Sequence, residues 1–277
     1  MRVEVARYAG ICYGVERALQ LAEEAAVNGT PVHTLGPLIH NPQAVTALRE
    51  SGVEVANTLD EAPTGTLVIR THGVEPALID AARDQGLDVV DATCPHVSKA
   101  HEAAEELKRG GYTVVIVGEA DHPEVEGIMA HAGGEALVVS SAEELPAHLP
   151  SRRIGIVVQT TQSLRRLNEV VDAIMPKASE VRVFNTICSA TSKRQQSAEE
   201  LAENVDVMIV VGGHNSGNTT RLAEICSAVN LRVHHVETAG DLDPAWFVGA
   251  ESVGVTAGAS TPDEQMQGVI RAIEAIQ

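Results

Sequence analysis

Short, continuous apolar runs alternate with helical segments along the whole chain. The apolar runs include "PVHTLG", "GTLVIRT", "LDVVDAT", "YTVVIVG", "EALVVS", "RIGIVVQ", "VRVFNT", "VDVMIVVGG", "LRVHHV" and "ESVGVTAG". Between them lie segments rich in Ala, Glu and Leu, such as "KAHEAAEELKRGG" and "SAEELAENV". Apolar strands that alternate with helices are typical of parallel sheets covered on both faces. The pattern predicts an α/β fold with ligand sites at the carboxyl ends of its strands.

Three of the strand-to-helix joints contain a single cysteine. They read "VEVARYAGICYGVERALQLAEEA" around Cys12, "LDVVDATCPHVSKAHEAAEELKRGG" around Cys94 and "VRVFNTICSATSKRQQSAEELAENV" around Cys188. The cysteines are 82 and 94 residues apart, each close to a third of the 277-residue chain. This repetition predicts three similar small α/β units with parallel sheets, whose strand ends meet around a central point with one thiol from each.

The predicted units cover residues 13–94, 95–185 and 186–277, joined by a strand in residues 1–12. With 44% apolar residues the chain can bury such cores, although aromatic residues make up only 2%. Its longest apolar runs are far shorter than the ~20 residues of a membrane-spanning helix. The start, "MRVEVARYAG", has no apolar secretory segment, and four scattered cysteines are not a disulfide framework. We therefore expect a cytoplasmic protein with reduced thiols and no membrane partner.

The formal net charge is −18, from 38 acidic and 20 basic residues. Nucleic-acid binding depends on Lys and Arg that neutralise phosphates, so this balance argues against a nucleic-acid partner. A strongly charged surface primarily keeps a protein soluble.

The spacing of the three thiols leaves several interpretations open. Thiolates are soft ligands for zinc, Cu(I) or iron–sulfur clusters. Three separated thiols fit a cubane cluster with one iron left open, or a three-ligand zinc with an open position, and they are equally compatible with unrelated cysteines. The fourth cysteine, Cys226 in "TTRLAEICSAVN", lies among apolar helical residues, and we expect it in the core.

Histidines and small polar residues at other predicted strand ends add candidate ligands to the three thiols. His40, His72 and His122 each follow a predicted strand and should lie on the same rim as the cysteines. The segments "VVGGHNSGNTTRL" and "VTAGASTPDE" are strand, small-residue turn and helix start, a layout that forms anion sites. Their candidate phosphate ligands are Ser216, Asn218 and Ser260. The alternative for Ser260 or Thr261 is a helix N-cap before Pro262.

Eight segments, in order, resemble the 4-hydroxy-3-methylbut-2-enyl diphosphate reductase family, the last enzymes of the non-mevalonate isoprenoid pathway. They are "AGICYGVERA", "THGV", "DATCPHVSKAH", "HPEVEG", "QTTQS", "TICSATSKRQ", "NSGNTTRL" and "GVTAGAST", from residue 9 to about residue 262. The resemblance implies three α/β units around a pseudo-threefold centre that holds one [4Fe–4S] cluster. It also implies that three cysteines bind the cluster and that the fourth iron is open to the substrate. The matching positions are Cys12, Cys94 and Cys188.

The resemblance further implies two catalytic residues, with Glu124 as the proton source and Thr160 positioning it and the substrate hydroxyl. Many members have Ser-Ser-Asn in the diphosphate loop, whereas this chain has Gly217 at the second serine, so one side-chain hydroxyl is missing. We expect altered affinity and retained function. The diphosphate would be bound by His40, His72, His122, Ser216, Gly217, Asn218 and Ser260.

The implied reaction is reductive removal of an allylic hydroxyl, which yields isopentenyl and dimethylallyl diphosphates and water. The electrons would come from a partner protein of the ferredoxin or flavodoxin type; such proteins tend to be acidic, so docking requires a local basic patch. Two other functions are compatible with the thiols: a zinc hydrolase, or a non-catalytic iron–sulfur sensor of a phosphorylated metabolite. From the sequence alone, Glu124 also fits a first helical turn after Pro123 that merely complements the helix dipole.

Overall fold

The computed structural model describes residues 1–27 and 29–276. Within them, the strands form three sheets of four strands each, and every strand pairing is parallel. The predicted α/β fold with three similar parallel-sheet units is thereby confirmed. The residue limits of the units, 13–94, 95–185 and 186–277, stay a prediction.

The strands are short, and the two inner strands of each sheet are largely buried. They are β1 (Arg2–Val5), β2 (Val32–Leu35), β3 (Val53–Ala56), β4 (Thr66–Ile69), β5 (Asp88–Asp91), β6 (Thr113–Val117), β7 (Ala136–Val139), β8 (Arg153–Val158), β9 (Glu180–Phe184), β10 (Val207–Val211), β11 (Val233–Val236) and β12 (Ser252–Ala257).

Helices connect most of the strands, supplemented by short 3-10 turns. They are α1 (Tyr13–Val27), α2 (Pro42–Glu50), α3 (Pro76–Asp84), α4 (Pro95–Arg109), α5 (Pro123–His131), α6 (Leu164–Ile174), α7 (Ser189–Ala202), α8 (Gly217–Val229) and α9 (Asp263–Ala275).

The three sheets repeat one topology. Sheet I has the order β3-β2-β4-β5, sheet II β7-β6-β8-β9 and sheet III β11-β10-β12-β1. In sheets I and II the fourth strand along the chain pairs with the third. In sheet III the N-terminal strand β1 takes that fourth place beside β12, so the chain's first strand completes its last sheet.

Strand β3 is absent from the apolar runs that the sequence pattern indicates. It lies at the edge of sheet I, is four residues long and carries the exposed Glu54. An edge strand needs neighbours on one side only, so its sequence carries a weaker apolar signal than a central strand.

Alternate residues of each central strand enter opposite cores. In β10, Ile209 packs with α9 on one face of sheet III, whereas Met208 packs with α7 and α8 on the other. In β6, Ile116 faces α4 and α5 while Val115 faces α6. Val, Ile, Leu and Ala fill these cores, as expected for strands buried on both faces.

The described chain divides into two compact parts. The first part comprises Met1–Glu16, Ile39–Thr46 and Ser189–Gln277 and contains sheet III. The second part comprises Arg17–Leu38 and Ala47–Cys188 and contains sheets I and II. Among the described residues, no helix is both long and apolar enough to cross a bilayer.

Candidate active site

Each of the three repeated cysteines lies directly before a helix. Cys12 precedes α1, Cys94 precedes α4 and Cys188 precedes α7. All three side chains are partly exposed, and no disulfide joins any cysteines in the described chain.

The backbone holds all three cysteines in the same way. Each cysteine amide donates a hydrogen bond of 3.0 Å to the carbonyl of the second residue after the neighbouring strand. The acceptors follow β12, β4 and β8, which are the third strands of their sheets. The pairs are Cys12 with Ala259, Cys94 with Thr71, and Cys188 with Thr160.

This repeated backbone hydrogen bond holds each cysteine at a defined position relative to a strand end. Three soft thiolates on equivalent rigid joints are a suitable donor set for an iron–sulfur cluster. By contrast, Cys226 is fully buried among Ala198, Met208 and Leu222, and burial raises the pKa of its thiol to about 12. It belongs to the core, as the sequence indicates.

The acidic residue Glu124 stands in the first turn of α5. Pro123 is the first helical residue, and the N-cap His122 accepts a hydrogen bond of 3.1 Å at Nδ1 from the Glu124 amide. Proline at the first helical position sacrifices no helical hydrogen bond. The imidazole therefore satisfies the helix end, and the carboxyl group of Glu124 is available for other contacts.

That carboxyl group is buried and bound to one residue. Thr160 donates its amide to Glu124 Oε1 at 2.6 Å and its hydroxyl to Oε2 at 3.0 Å. Glu124 is 1% exposed. Burial raises its pKa from 4.5 to about 7, partly opposed by the Thr160 hydrogen bonds and reinforced by the charge of Glu119. A glutamate that only complemented the helix dipole would face solvent, so this geometry favours the proton-donor interpretation.

A polar network that sequence reasoning missed supports the Thr160 loop. Gln159 Oε1 accepts from the Glu119 amide at 3.0 Å, and Gln162 Nε2 donates to Glu119 Oε1 at 2.7 Å. Both glutamines are essentially inaccessible to solvent. They flank the two threonines of "QTTQS". Two glutamines directly after an apolar strand were the feature of the sequence that could have indicated this network.

Two of the predicted histidines lie together in the second part. The rings of His72 and His122 meet edge to face with centroids 5.4 Å apart. His72 follows β4, next to Gly73, whose φ of +70° requires glycine.

A third histidine, His101 on α4, packs behind this pair. A Cβ added at Gly73 would lie 2.6 Å from its ring, and one at Gly127 of α5 would lie 2.9 Å from Nε2. His101 is 6% exposed, and burial together with the neighbouring His131 lowers its pKa to about 4. The neutral ring thus spaces the His72 loop from α5. In the sequence, the only feature that pointed to His101 was its position at the end of the motif "DATCPHVSKAH".

In the first part, glycine-rich turns bring His40 and Ser260 together. The Ser260 hydroxyl donates to the His40 carbonyl at 3.1 Å. A Cβ on Gly258 would lie 2.0 Å from Thr219 Oγ1, so only glycine permits this approach of the loop after β12 to α8. The turn therefore holds Ser260 beside the start of α8.

The start of α8 carries the other predicted anion ligands. Ser216 is the N-cap and accepts a hydrogen bond of 3.4 Å from the Thr219 amide, and Gly217 is the first helical residue. Asn218 is 5% exposed, and among the described residues neither its side-chain oxygen nor its side-chain nitrogen has a hydrogen-bond partner. A buried amide without partners is costly in a folded protein. Such a group is suited to hydrogen-bond a ligand or an ordered water.

The N-cap alternative for the "ASTPD" segment is wrong. Helix α9 begins at Asp263, its N-cap position is Pro262, and no side chain caps it. The Thr261 hydroxyl instead donates to the Val211 carbonyl at 3.1 Å. Ser260 and Thr261 thus serve the loop and not the helix end.

The ends of the parallel strands carry thiols, a buried carboxylic acid and a buried amide without partners in the described chain. These groups are typical of a class of α/β enzymes that use soft-metal, proton and anion chemistry. The chain belongs to the LytB protein family, whose model matches residues 3–274. The family predicted from the sequence motifs is thereby confirmed.

Several relatives match over nearly their full length. The 4-hydroxy-3-methylbut-2-enyl diphosphate reductase of Pelobacter propionicus is 52% identical over 95% of this chain and 94% of its own. The protein of the same name from Geobacter sulfurreducens is 52% identical over 99% of this chain and 97% of its own.

Solved structures agree with the sequence relatives. A structure of (E)-4-hydroxy-3-methyl-but-2-enyl diphosphate reductase, described as the terminal enzyme of the non-mevalonate pathway, is 46% identical and covers 99% of both chains, with a TM-score of 0.72. The corresponding reductase from Plasmodium falciparum is 26% identical and covers 98% of this chain and 87% of its own, with a TM-score of 0.92. The family is one of iron–sulfur enzymes.

Proposed function

We propose that this chain is a 4-hydroxy-3-methylbut-2-enyl diphosphate reductase that catalyses the last step of the non-mevalonate pathway. The observation that carries the proposal is about 50% identity to enzymes of that name over nearly the whole chain. In the reaction the allylic C–O bond breaks and a C–H bond forms. Two electrons and two protons are consumed, and one molecule of water leaves.

Cys12, Cys94 and Cys188 are the residues that would hold a [4Fe–4S] cluster, one per chain. Their equivalent joints and their three identical amide hydrogen bonds support this assignment. When bound, such a cluster supplies single electrons and one Lewis-acidic iron without a protein ligand.

Glu124 is the proposed proton source for the departing hydroxyl group. Hydroxide is a poor leaving group and requires a proton, and a general acid works best when its pKa lies near the working pH. A pKa raised to about 7 fits that requirement. Thr160 is proposed to position the carboxyl group and the substrate hydroxyl, because both of its donors already contact Glu124.

The diphosphate is proposed to bind to neutral donors, not to arginines. The strongest support is Asn218, whose buried amide lacks partners, at the positive end of α8. His40, His72, His122, Ser216, Ser260 and the Gly217 amide complete the proposed set. Such local donors are needed because the overall charge of −18 repels an anionic substrate.

The electrons are proposed to come from a ferredoxin or flavodoxin, the type of donor that the family resemblance implies for a reaction that consumes two electrons. Three thiolate ligands also require a reducing compartment, so we propose the cytoplasm.

An anaerobic assay tests the proposal. The purified protein is analysed for iron and acid-labile sulfide, then supplied with the allylic diphosphate and a strong reductant. A brown protein with about four irons per chain, the content of a [4Fe–4S] cluster, that forms both five-carbon diphosphates is the expected result. The same colour without product would indicate a sensor, and a colourless zinc protein would overturn the cluster assignment.

A further inference from the structure

A pocket of about 340 Å³ opens in the first part of the chain, outside the substrate ligands described above. Its walls come from the segment after β1 and from the first turns of α7. They include Ile11, the residue before Cys12, and Ser189, the residue after Cys188. The pocket therefore lies against the chain neighbours of two proposed cluster ligands.

The pocket is basic in a protein that is strongly acidic. Arg7, Lys193 and Arg194 line it. The Arg7 guanidinium lies 5.4 Å and the Lys193 ammonium 5.8 Å from the centre of the Tyr8 ring, so one aromatic ring contacts two cations. Buried Arg194 donates to the Gly10 carbonyl at 2.8 Å and anchors the loop that precedes Cys12.

The two exposed cations are not neutralised by neighbours. In the described chain, neither Arg7 nor Lys193 forms an ion pair with a carboxylate, whereas the nearby Glu4 is already paired with Arg2 at 2.8 Å. The N-terminal end of α7 adds partial positive charge at Ser189. The patch is thus a local positive field on a chain of net charge −18.

An exposed aromatic ring accompanies the charge. Tyr8, which lines the pocket and lies under both cations, is 39% exposed. Tyrosine and arginine are enriched in protein–protein interfaces, and acidic and basic faces steer encounter between partners. Redox partners typically form small, weak interfaces of this kind.

We propose that this basic patch, defined by Arg7, Tyr8 and Lys193, is the docking surface for an acidic one-electron carrier protein. The inference rests on the proposed function, because that reaction consumes two electrons that the chain does not itself supply. The reduced carrier binds at the patch, gives up one electron, dissociates in its oxidised form and is replaced by a second reduced carrier. The positive field compensates the repulsion between two acidic proteins.

The test compares two double variants of the cluster-loaded enzyme. The variant Arg7→Glu/Lys193→Glu reverses the charge of the patch. The control variant, Arg152→Glu/Arg271→Glu, changes the net charge of the protein by the same amount. Arg152 and Arg271 are exposed and, in the described chain, form no ion pair with a carboxylate. Binding of an oxidised acidic ferredoxin, and separately of a flavodoxin, is measured by titration calorimetry at low and at physiological ionic strength. Turnover is measured with each reduced carrier and with dithionite-reduced methyl viologen.

We expect the patch variant to raise the Kd and the Michaelis constant for at least one carrier about tenfold or more over the control, and to lose most of the salt dependence of binding. Its viologen-driven rate should match that of the wild type. Equal carrier binding by the patch and control variants would overturn the proposal. Failure of the wild type to turn over with viologen would instead overturn the proposed function, while the calorimetry, which needs no turnover, would still decide docking.

Discussion

Thr160 binds both carboxylate oxygens of Glu124, with its amide at 2.6 Å and its hydroxyl at 3.0 Å. The same residue accepts the Cys188 amide at its carbonyl, at 3.0 Å. One threonine at the end of β8 therefore connects a proposed acid to a proposed cluster ligand. Movement of this loop would disturb both, so the loop couples proton supply to the thiol position.

Replacing Glu124 by Gln should lower turnover several hundredfold while iron and sulfide per chain stay unchanged. Glutamine keeps the size of the side chain but has no acidic proton to give. Viologen-driven turnover and metal analysis are the measurements. The matched control is Glu126→Gln in the same helix turn, an exposed residue paired with Arg70 at 3.7 Å, which should retain nearly full activity. Near-normal turnover of the Glu124 variant would leave only the helix-dipole role.

The raised pKa of Glu124 predicts a loss of activity with increasing pH. Below about pH 7 the buried carboxyl is protonated and able to donate, and above that value it ionises. We expect kcat/KM to fall along an alkaline limb centred near pH 7, the pKa of Glu124 in the free enzyme, measured with viologen as the reductant. The Glu124→Gln variant should lack this limb. A rate that stays level from pH 6 to pH 9 would contradict the assignment.

Thr160→Val should move that limb to higher pH. The hydroxyl donates to the carboxylate and so stabilises the ionised form, which lowers the Glu124 pKa. Removing it leaves the backbone amide in place and raises the pKa further. Thr160→Ser keeps the donor and should restore the wild-type profile. An unshifted limb in the valine variant would mean that the hydroxyl bond does not persist in solution.

Asn218→Ala should raise the Michaelis constant for the diphosphate at least about tenfold, the loss expected for a hydrogen bond to a charged group. Without substrate the variant should lose little stability, because it removes two buried polar atoms that lack partners. Asn230→Ala is the contrasting control. Its amide donates to two carbonyls, at 2.9 and 2.8 Å, so it should lose stability and keep its Michaelis constant. Thermal unfolding and steady-state kinetics separate the two cases.

Gly217→Ser should tighten substrate binding. It adds a hydroxyl at the first residue of α8, where the resemblance noted in the sequence implies a serine in many members. A charge-assisted hydrogen bond of about 1.5 kcal/mol would lower the Michaelis constant about tenfold. The control is Gly268→Ser in α9, where an added Cβ would meet nothing within 4 Å. This variant should leave the Michaelis constant for the diphosphate unchanged. An unchanged constant in the Gly217 variant would show that the backbone amide already suffices.

Much of the fold could be predicted because its signals are local. The apolar runs and the first cysteine joint together indicated every strand except the edge strand β3, and the three cysteine joints indicated three units. Each cysteine indeed stands directly before a helix. The pairing of β1 with β12 could not be obtained in this way, because it joins residues about 250 positions apart, and the energy of such a pairing depends on packing that no local window contains.

By itself, the sequence determined which residue types stand at which strand ends, since a strand-to-helix joint is set by neighbouring residues. Only the tertiary structure decided their environments. Glu124 and Thr160 are 36 residues apart, and their contact, together with the burial that raises the pKa of the acid, arises from the packing of α5 against the loop after β8. The tertiary structure likewise decided that the amide of Asn218 is buried without partners in the described chain and that Arg7 and Lys193 form no ion pair there. Burial and missing partners are properties of three-dimensional surroundings, which residues distant in the chain supply.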